Sequence, residues 1–428
     1  MTTIAAPGRL RLQAGAALLL VAALLAAALS AFATARADLH QLAAVSEPRA
    51  AAAADLHRML ADLDAQHADS LVVGYSSAPP ADGSAPVLVD DGVLAALTAQ
   101  ADRRELAADL TMLAGSAESD ADVQALIEGL GTYDSLSGTE EFSTTSQDAP
   151  VAGRPPALAL DYYGQAEGLL QQTLLPRAQA LLTSAGDRVA ADRATAVNDG
   201  RRGALLLAVV GVLALALLVW WQLDLARRHR RILNPALLAA TVGVLAVVLA
   251  GGPALLGAAS EVDGAVKQGY ARFAVVAEAR VAAADAEAAQ SHWLVDSAYR
   301  PSLQAQFDQL TVRLRGLTAD AAGSPGVART QREYLAADAR LRQLAEAGQL
   351  DRAAAQLTGV TRGQLAFAYY DFSRQLGLLA DSSAARFDTG MSAADDDLSG
   401  WAAIPPALLG AALLLVIVGV RPRLAEFA

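Results

Sequence analysis

The chain has 428 residues, of which 54% are hydrophobic and only 5% aromatic, with a formal net charge of −12 and no cysteine. The missing cysteine excludes disulfides, thiolate metal sites and cysteine nucleophiles, so packing alone must hold any domain together. The apolar content is mostly Ala, Leu and Val, with the strong helix formers Ala and Leu foremost.

Residues 1–13 place Arg9 and Arg11 ahead of an uncharged apolar run, Ala14–Ala35. Ala33-Thr34-Ala35 at its end would suit a signal-peptide cleavage site. The run is longer than the roughly 7–15 apolar residues of such peptides, so an uncleaved anchor is expected. Three similar runs follow: Gly203–Leu223, Ile232–Ala259 and Trp401–Val420. About 20 residues in a helix cross the roughly 30 Å hydrocarbon core of a bilayer. Each run is therefore expected to span. Trp220, Trp221 and Trp401 stand at run ends, where indole rings favour the membrane interface.

Between the first two runs, residues 36–202 show helical spacing at Leu56, Leu60 and Leu63, then Leu106, Leu110 and Leu113, then Val123, Ile127 and Leu130. A long fourth helix begins within Leu158–Leu182, and loops are expected at Gly74–Pro86 and Gln147–Pro156. Residues 260–400 repeat the theme. Leu303, Phe307, Leu310, Leu314 and Leu317 form one apolar seam, and Leu365, Tyr369, Phe372, Leu376 and Leu379 another. Val327, Tyr334, Leu341 and Leu344 mark a helix between them, and Val262–Leu294 a long one before.

Arginines cluster at one set of span ends: Arg9 and Arg11, then Arg227, Arg228, Arg230 and Arg231 in the short link 224–231, then Arg421 and Arg423 in residues 421–428. By the positive-inside rule these pieces are cytoplasmic. The expectation is an all-α membrane protein: four transmembrane helices and two extracytoplasmic helical-bundle domains, in a duplicated span–bundle–span arrangement at the cell membrane.

Catalytic signatures are missing. There is no P-loop, dinucleotide-binding glycine fingerprint, Gly-x-Ser-x-Gly elbow or His-Glu-x-x-His pair. No catalytic residue, cofactor or metal is expected, and nucleic acid is not an expected partner. His67 lies near Asp62, Asp64 and Asp69, and is read as part of a solvated acidic helix face rather than a metal site. Asp395-Asp396-Asp397 is read as a polar boundary beside the fourth run. The spans hold no ionisable residue, which speaks against a coupled pump. Arg227, Arg228, Arg230 and Arg231 are candidate contacts for anionic lipid or a cytoplasmic partner. Pro253, Pro405 and Pro406 are candidate hinges, because proline interrupts helix hydrogen bonding.

Four local stretches carry a resemblance. They are Leu130-Gly131-Thr132-Tyr133-Asp134-Ser135-Leu136; Tyr162-Tyr163 leading to Leu174-Leu175-Pro176-Arg177-Ala178; Glu278-Ala279-Arg280 through Asp285 to Ser291 and Leu294; and Ala226-Arg227-Arg228 through Arg231-Ile232-Leu233-Asn234-Pro235. With the four-span layout, they make the chain resemble GlnX-type membrane proteins of actinobacteria. The resemblance implies a relay of aspartate, glutamate or glutamine availability. The signal would pass from an extracytoplasmic amino-acid-binding lipoprotein to a cytoplasmic G-type serine/threonine protein kinase that adjusts nitrogen metabolism. The alternatives are a direct small-molecule sensor built on a chemoreceptor-like bundle, or an accessory subunit of a transporter or envelope-assembly complex. A homo-oligomer is compatible with each.

Overall fold

The computed structural model describes residues 6–77, 85–90, 92–115, 120–145, 150–229, 235–320 and 325–425. Helix α1 (Ala6–Gln41) runs through a π turn, Leu42–Ser46, into α2 (Glu47–Leu71). Strand β1 (Gly74–Tyr75) pairs antiparallel with β2 (Leu88–Asp90). Then come α3 (Val93–Leu113), α4 (Asp120–Thr145) and α5 (Ala157–Leu169), and a second π turn, Leu170–Leu174, leads into α6 (Leu175–His229). Helix α7 (Pro235–Ala265) passes through a third π turn, Val266–Tyr270, into α8 (Ala271–Val295). The rest is α9 (Arg300–Asp320), α10 (Pro325–Glu346), α11 (Leu350–Thr358), α12 (Leu365–Leu398) and α13 (Ile404–Ala425). The fold is all-α apart from the small ribbon. The apolar seams anticipated at Leu56, Leu106, Val123, Leu303, Val327 and Leu365 each fall in a helix.

Two units divide the chain. The first holds residues up to Val45, Val189–Gly269 and those from Arg386 onward; the second holds Ser46–Arg188 and Tyr270–Ala385. The first is the apolar unit. Three helical tracts, Leu12–Leu71, Ala157–Arg227 and Pro235–Val295, contain stretches long and apolar enough to cross a membrane. Ile404–Gly419 is a shorter apolar stretch. In lipid, helices associate by close packing of small residues and by polar bridges, because tails are as apolar as leucine. Both devices are present. Gln222 Nε2 of α6 donates to Thr241 Oγ1 of α7 at 2.7 Å and to the Leu237 carbonyl at 3.1 Å. A Cβ added at Gly211 would stand 2.2 Å from Val248 Cγ2.

Gly211→Leu is therefore expected to destabilise the detergent-solubilised chain by about 1–3 kcal/mol through overpacking. Gly410, whose added Cβ meets nothing within 4 Å, should accept leucine without change. Thermal melting of the two variants checks this.

Trp221 and Trp401 are buried at 1% and 7% exposure, and Trp401 stacks on Phe32 with ring centroids 4.6 Å apart. Helix–helix packing thus covers two of the three run-end rings. Only Trp220 is exposed, at 55%.

The second unit differs from the two separate bundles expected. Residues from both segments, 46–188 and 270–385, build it together, and α2 packs directly along α8. The reason lies in those two helices. Each is 25 residues long and alanine-rich, and each is buried on nearly every side. Helix α8 is mostly apolar and needs cover on most sides, whereas α2 also turns charged residues such as Asp62 and Asp64 inward. The two helices share a centre. One core cluster joins Ala68 and Leu71 to Phe307, Tyr334 and Phe372, and another joins Leu56, Leu60 and Tyr133 to Ala284. Ion pairs reinforce the contact: Arg280 Nη2 lies 3.0 Å from Asp55 Oδ1, and His57 Nε2 lies 3.6 Å from Asp285 Oδ1. Both central helices follow a π turn, at Leu42–Ser46 and Val266–Tyr270, so the local pattern recurs.

The ribbon closes one edge of this unit. Tyr75 N donates to the Pro150 carbonyl at 2.8 Å, and Gly74 adopts φ 140° beside it. A Cβ at Gly74 would lie 2.3 Å from that same carbonyl oxygen, which explains the glycine.

Candidate functional site

The second unit contains a cavity of about 810 Å³, a size suited to a small ligand. Helices α2, α3, α8 and α12 and the residues around β2 line it. On α2 the positions Arg58, Asp62, Gln66 and Asp69 fall at spacings of four and three, which places them along one helix face. Asp102 of α3, Glu287 of α8 and Tyr369 of α12 join them. Apolar wall comes from Phe367, Leu94, Val360 and Leu378.

Part of the polar lining is internally satisfied. Arg58 Nη1 donates to Asp62 Oδ2 at 2.5 Å and its Nε to Asp55 Oδ1 at 3.2 Å. Tyr369 donates its hydroxyl proton to Asp62 Oδ1 at 2.6 Å. Even so, burial holds the Asp62 carboxyl above its ordinary range, against the opposing pull of Arg58 and Tyr369.

The remainder is not satisfied. Asp69 Oδ1, Asp102 Oδ2 and Glu287 Oε2 are buried without a hydrogen-bond partner among the described residues. Their residues are only 5%, 8% and 5% exposed. Burial pushes Asp69 and Asp102 up to about 7, and Glu287 well above the carboxylate range. After burial, the largest influence on Glu287 is the neighbouring charge of Asp62 and Asp69, with Asp102 contributing as well. Orphaned carboxyl oxygens are costly in a folded core, and such groups concentrate where something else binds.

A second polar network runs through the same unit. His292 of α8 places Nε2 3.1 Å from Asp64 Oδ2 and Nδ1 3.1 Å from Glu167 Oε1. Burial alone would lower its pKa, but the charge and hydrogen bonds of Asp64 and Glu167 prevail and push it up to about 10. It is a buried imidazolium. His67 Nε2 lies 2.5 Å from Glu140 Oε2, and its Nδ1 lies 3.1 Å from the Tyr133 hydroxyl. The Tyr163 ring stands edge-on to both imidazoles, at centroid distances of 5.4 and 5.6 Å.

These contacts overturn the reading of His67, Asp62, Asp64 and Asp69 as a solvated acidic face. Asp62, Asp64 and Asp69 are buried at 8%, 0% and 5% exposure. A helix at the centre of a shared core has no solvated face, so its charges had to find partners inside. Among the described residues, no three His, Asp or Glu side chains stand close enough to hold a metal ion.

The other expected sites are placed as follows. Arg227 and Arg228 fall in the last turn of α6, with Arg227 exposed, while Arg230 and Arg231 lie outside the described residues. Pro253 sits inside α7, which continues through it. Pro405 and Pro406 follow Ile404 in the first turn of α13, where a missing N–H costs nothing. They start a helix; the interruption lies upstream, at Ser399–Ala403, where Gly400 takes φ 76°. The cavity residues Asp102, Glu287 and Tyr369 were not foreseen. The available signal was a glutamate within the alanine run 282–289, a position that no solvated face explains.

A family model described as an actinobacterial sensor domain matches residues 38–194. The match begins just after the first apolar run and ends before the second. It makes this stretch similar to a sensor segment of actinobacterial type. No curated protein and no solved structure matches the chain.

Proposed function

We propose that the chain is a non-enzymatic, multi-pass membrane sensor that takes a small molecule into its helical unit and signals through helix displacement. The observation that carries this reading is the cavity with its orphaned buried carboxyls, lying in the unit that contains most of the sensor-family match. Continuity of the chain supplies the means of transmission. Helix α6 is one uninterrupted helix from the core residue Leu181 through the apolar run 203–223, and α7 leads through a π turn into α8. A ligand that prefers one packing of the unit shifts such helices by an ångström or two.

In this proposal the runs 14–35, 203–223, 232–259 and 401–420 all span the cell membrane. The arrangement is duplicated, both termini are cytoplasmic, and segments 36–202 and 260–400 are extracytoplasmic. The recurrence of a π turn followed by a 25-residue helix supports the duplication. The resemblance to GlnX-type proteins adds the finer steps: amino-acid availability delivered by a solute-binding lipoprotein, and output to a serine/threonine kinase that meets the link around Arg227. Anionic lipid at that link and self-association are part of the same picture.

Topology is tested in the cysteine-free background. Cysteine at Ser297 is expected to react with an impermeant thiol reagent in intact cells, and cysteine at His229 only after permeabilisation. The reverse pattern would invert the whole arrangement. Crosslinking in intact cells, followed by mass spectrometry of the purified complex, tests the partners. Recovery of a solute-binding lipoprotein and a kinase supports the relay, whereas transport or envelope-assembly components alone would oppose it.

A further inference from the structure

The cavity's chemistry specifies what it takes up, and the inference rests on reading the helical unit as a direct ligand sensor. Three acceptor oxygens without partners, on Asp69, Asp102 and Glu287, come from three different helices, α2, α3 and α8. All three residues line one cavity and are at least nine-tenths buried. Arg58 is engaged by Asp55 and Asp62, and Arg280 Nη2 by Asp55, while Arg280 Nε is itself buried without a partner among the described residues. One such donor cannot serve three acceptors on three helices, and a carboxylate asks for a charged donor.

Size then selects among cations. A divalent ion needs ligands converging within about 2–2.6 Å of one point, and no three His, Asp or Glu side chains among the described residues do so. The three acceptors belong to three different helices, which asks for more than one donor. The apolar part of the lining is aliphatic and aromatic, with Phe367, Leu94 and Leu378, and with Tyr370 exposed at 65%. Such a wall fits methylene groups, and ring faces attract alkylammonium ions.

We propose that the cavity binds a small organic cation with two separated protonated nitrogens joined by an aliphatic chain, as in a diamine or a basic amino acid. The nitrogens donate to the carboxyl groups of Asp69, Asp102 and Glu287, and the chain lies along the apolar wall. Proton linkage follows. The groups facing these carboxyls are Asp90 and His292 around Asp69, Asp62, Arg58, Arg103 and Glu105 around Asp102, and Asp62, Asp69, Asp102 and Tyr369 around Glu287. With Asp69 and Asp102 near 7, a dication binds by displacing protons, and its affinity rises with pH.

Calorimetry on the full chain in detergent tests this, with putrescine, cadaverine, lysine, arginine, glutamate, glutamine and Mg²⁺ as separate probes. At least one of the first four is expected to bind, with about tenfold tighter affinity at pH 8 than at pH 6. Net proton release should appear as a difference between buffers of unlike ionisation enthalpy. Diamines binding better than amino acids would assign the pair of nitrogens alone; the reverse would add a carboxylate contact, for which Arg280 of the lining, with its unpartnered Nε, is a candidate. Glu287→Gln and Asp102→Asn are each expected to weaken binding at least tenfold while retaining a cooperative melt. The wild-type pH dependence stands as the test if either variant fails to fold. Binding of glutamate or glutamine alone would overturn the ligand class and leave the sensor reading standing. Binding of Mg²⁺ alone, or of no probe, would overturn the proposal.

Discussion

Replacing His292 with glutamine is expected to cost about 3–5 kcal/mol of folding stability, the usual result of breaking a buried ion pair from one side. His292 is 3% exposed and sits between Asp64, which is fully buried, and Glu167. Without the imidazolium, Asp64 keeps only the Gln171 amide, whose Nε2 donates to Oδ2 at 3.3 Å. The double variant His292→Gln with Asp64→Asn should recover part of the loss, because no charge is then left buried alone. The sign with pH follows from the raised pKa. The contribution of His292 is complete below its unfolded value of about 6.5 and is lost as pH rises through about 10. Chemical denaturation of the full chain in detergent at pH 6, 8 and 10 checks both statements. A loss below about 1 kcal/mol at pH 6 would mean that the pair is solvated, since exposed pairs contribute no more than that.

The fate of these charges explains what the sequence could and could not reveal. Apolar spacing located the helices well. The seam from Leu303 to Leu317 became α9, and the seam from Leu365 to Leu379 the first half of α12. Uncharged length identified the apolar runs at 14–35 and 203–223, and the described part of 232–259 from Pro235 onward, each within a helical tract long enough to cross a membrane. Periodicity reports which face of a helix is buried, but not whose side chains bury it. That is why segments 36–202 and 260–400 read as two bundles although α2 and α8 share one core. The same limit concealed the site. Asp62, Asp64 and Asp69 look like a wet face along one chain, and only contacts to Tyr369 and His292, more than 200 residues away, turn them inward.

Acidification from pH 8 to pH 5 is expected to raise the melting temperature of the ligand-free chain, the opposite of what ordinary acid-paired carboxylates would give. Asp69 and Asp102 stand near 7 when folded, against about 3.9 in an unfolded chain. The folded state therefore binds more protons across that interval. The associated stability is complete below about 3.9 and is lost as pH rises through about 7. For the fully buried Asp69, the two pH units between 5 and 7 correspond to roughly 2–3 kcal/mol. Glu167 and Asp263 have lowered values and act in the other sense, but only where pH falls through their own depressed range, below the interval used. His292 adds a contribution of the same sign as Asp69 at the alkaline end, so the comparison must be made between variants. In Asp69→Asn with Asp102→Asn the melting temperature should vary less between pH 5 and pH 8 than in the wild type. It should lie above the wild type at pH 8, because two carboxylates disfavoured by burial are gone. If the slopes of the two proteins coincide, the carboxyls titrate as solvated groups and the cavity has no need of a cation. If they differ as expected, a dication added at pH 8 should raise the wild-type melting temperature and leave that of the double variant where it was.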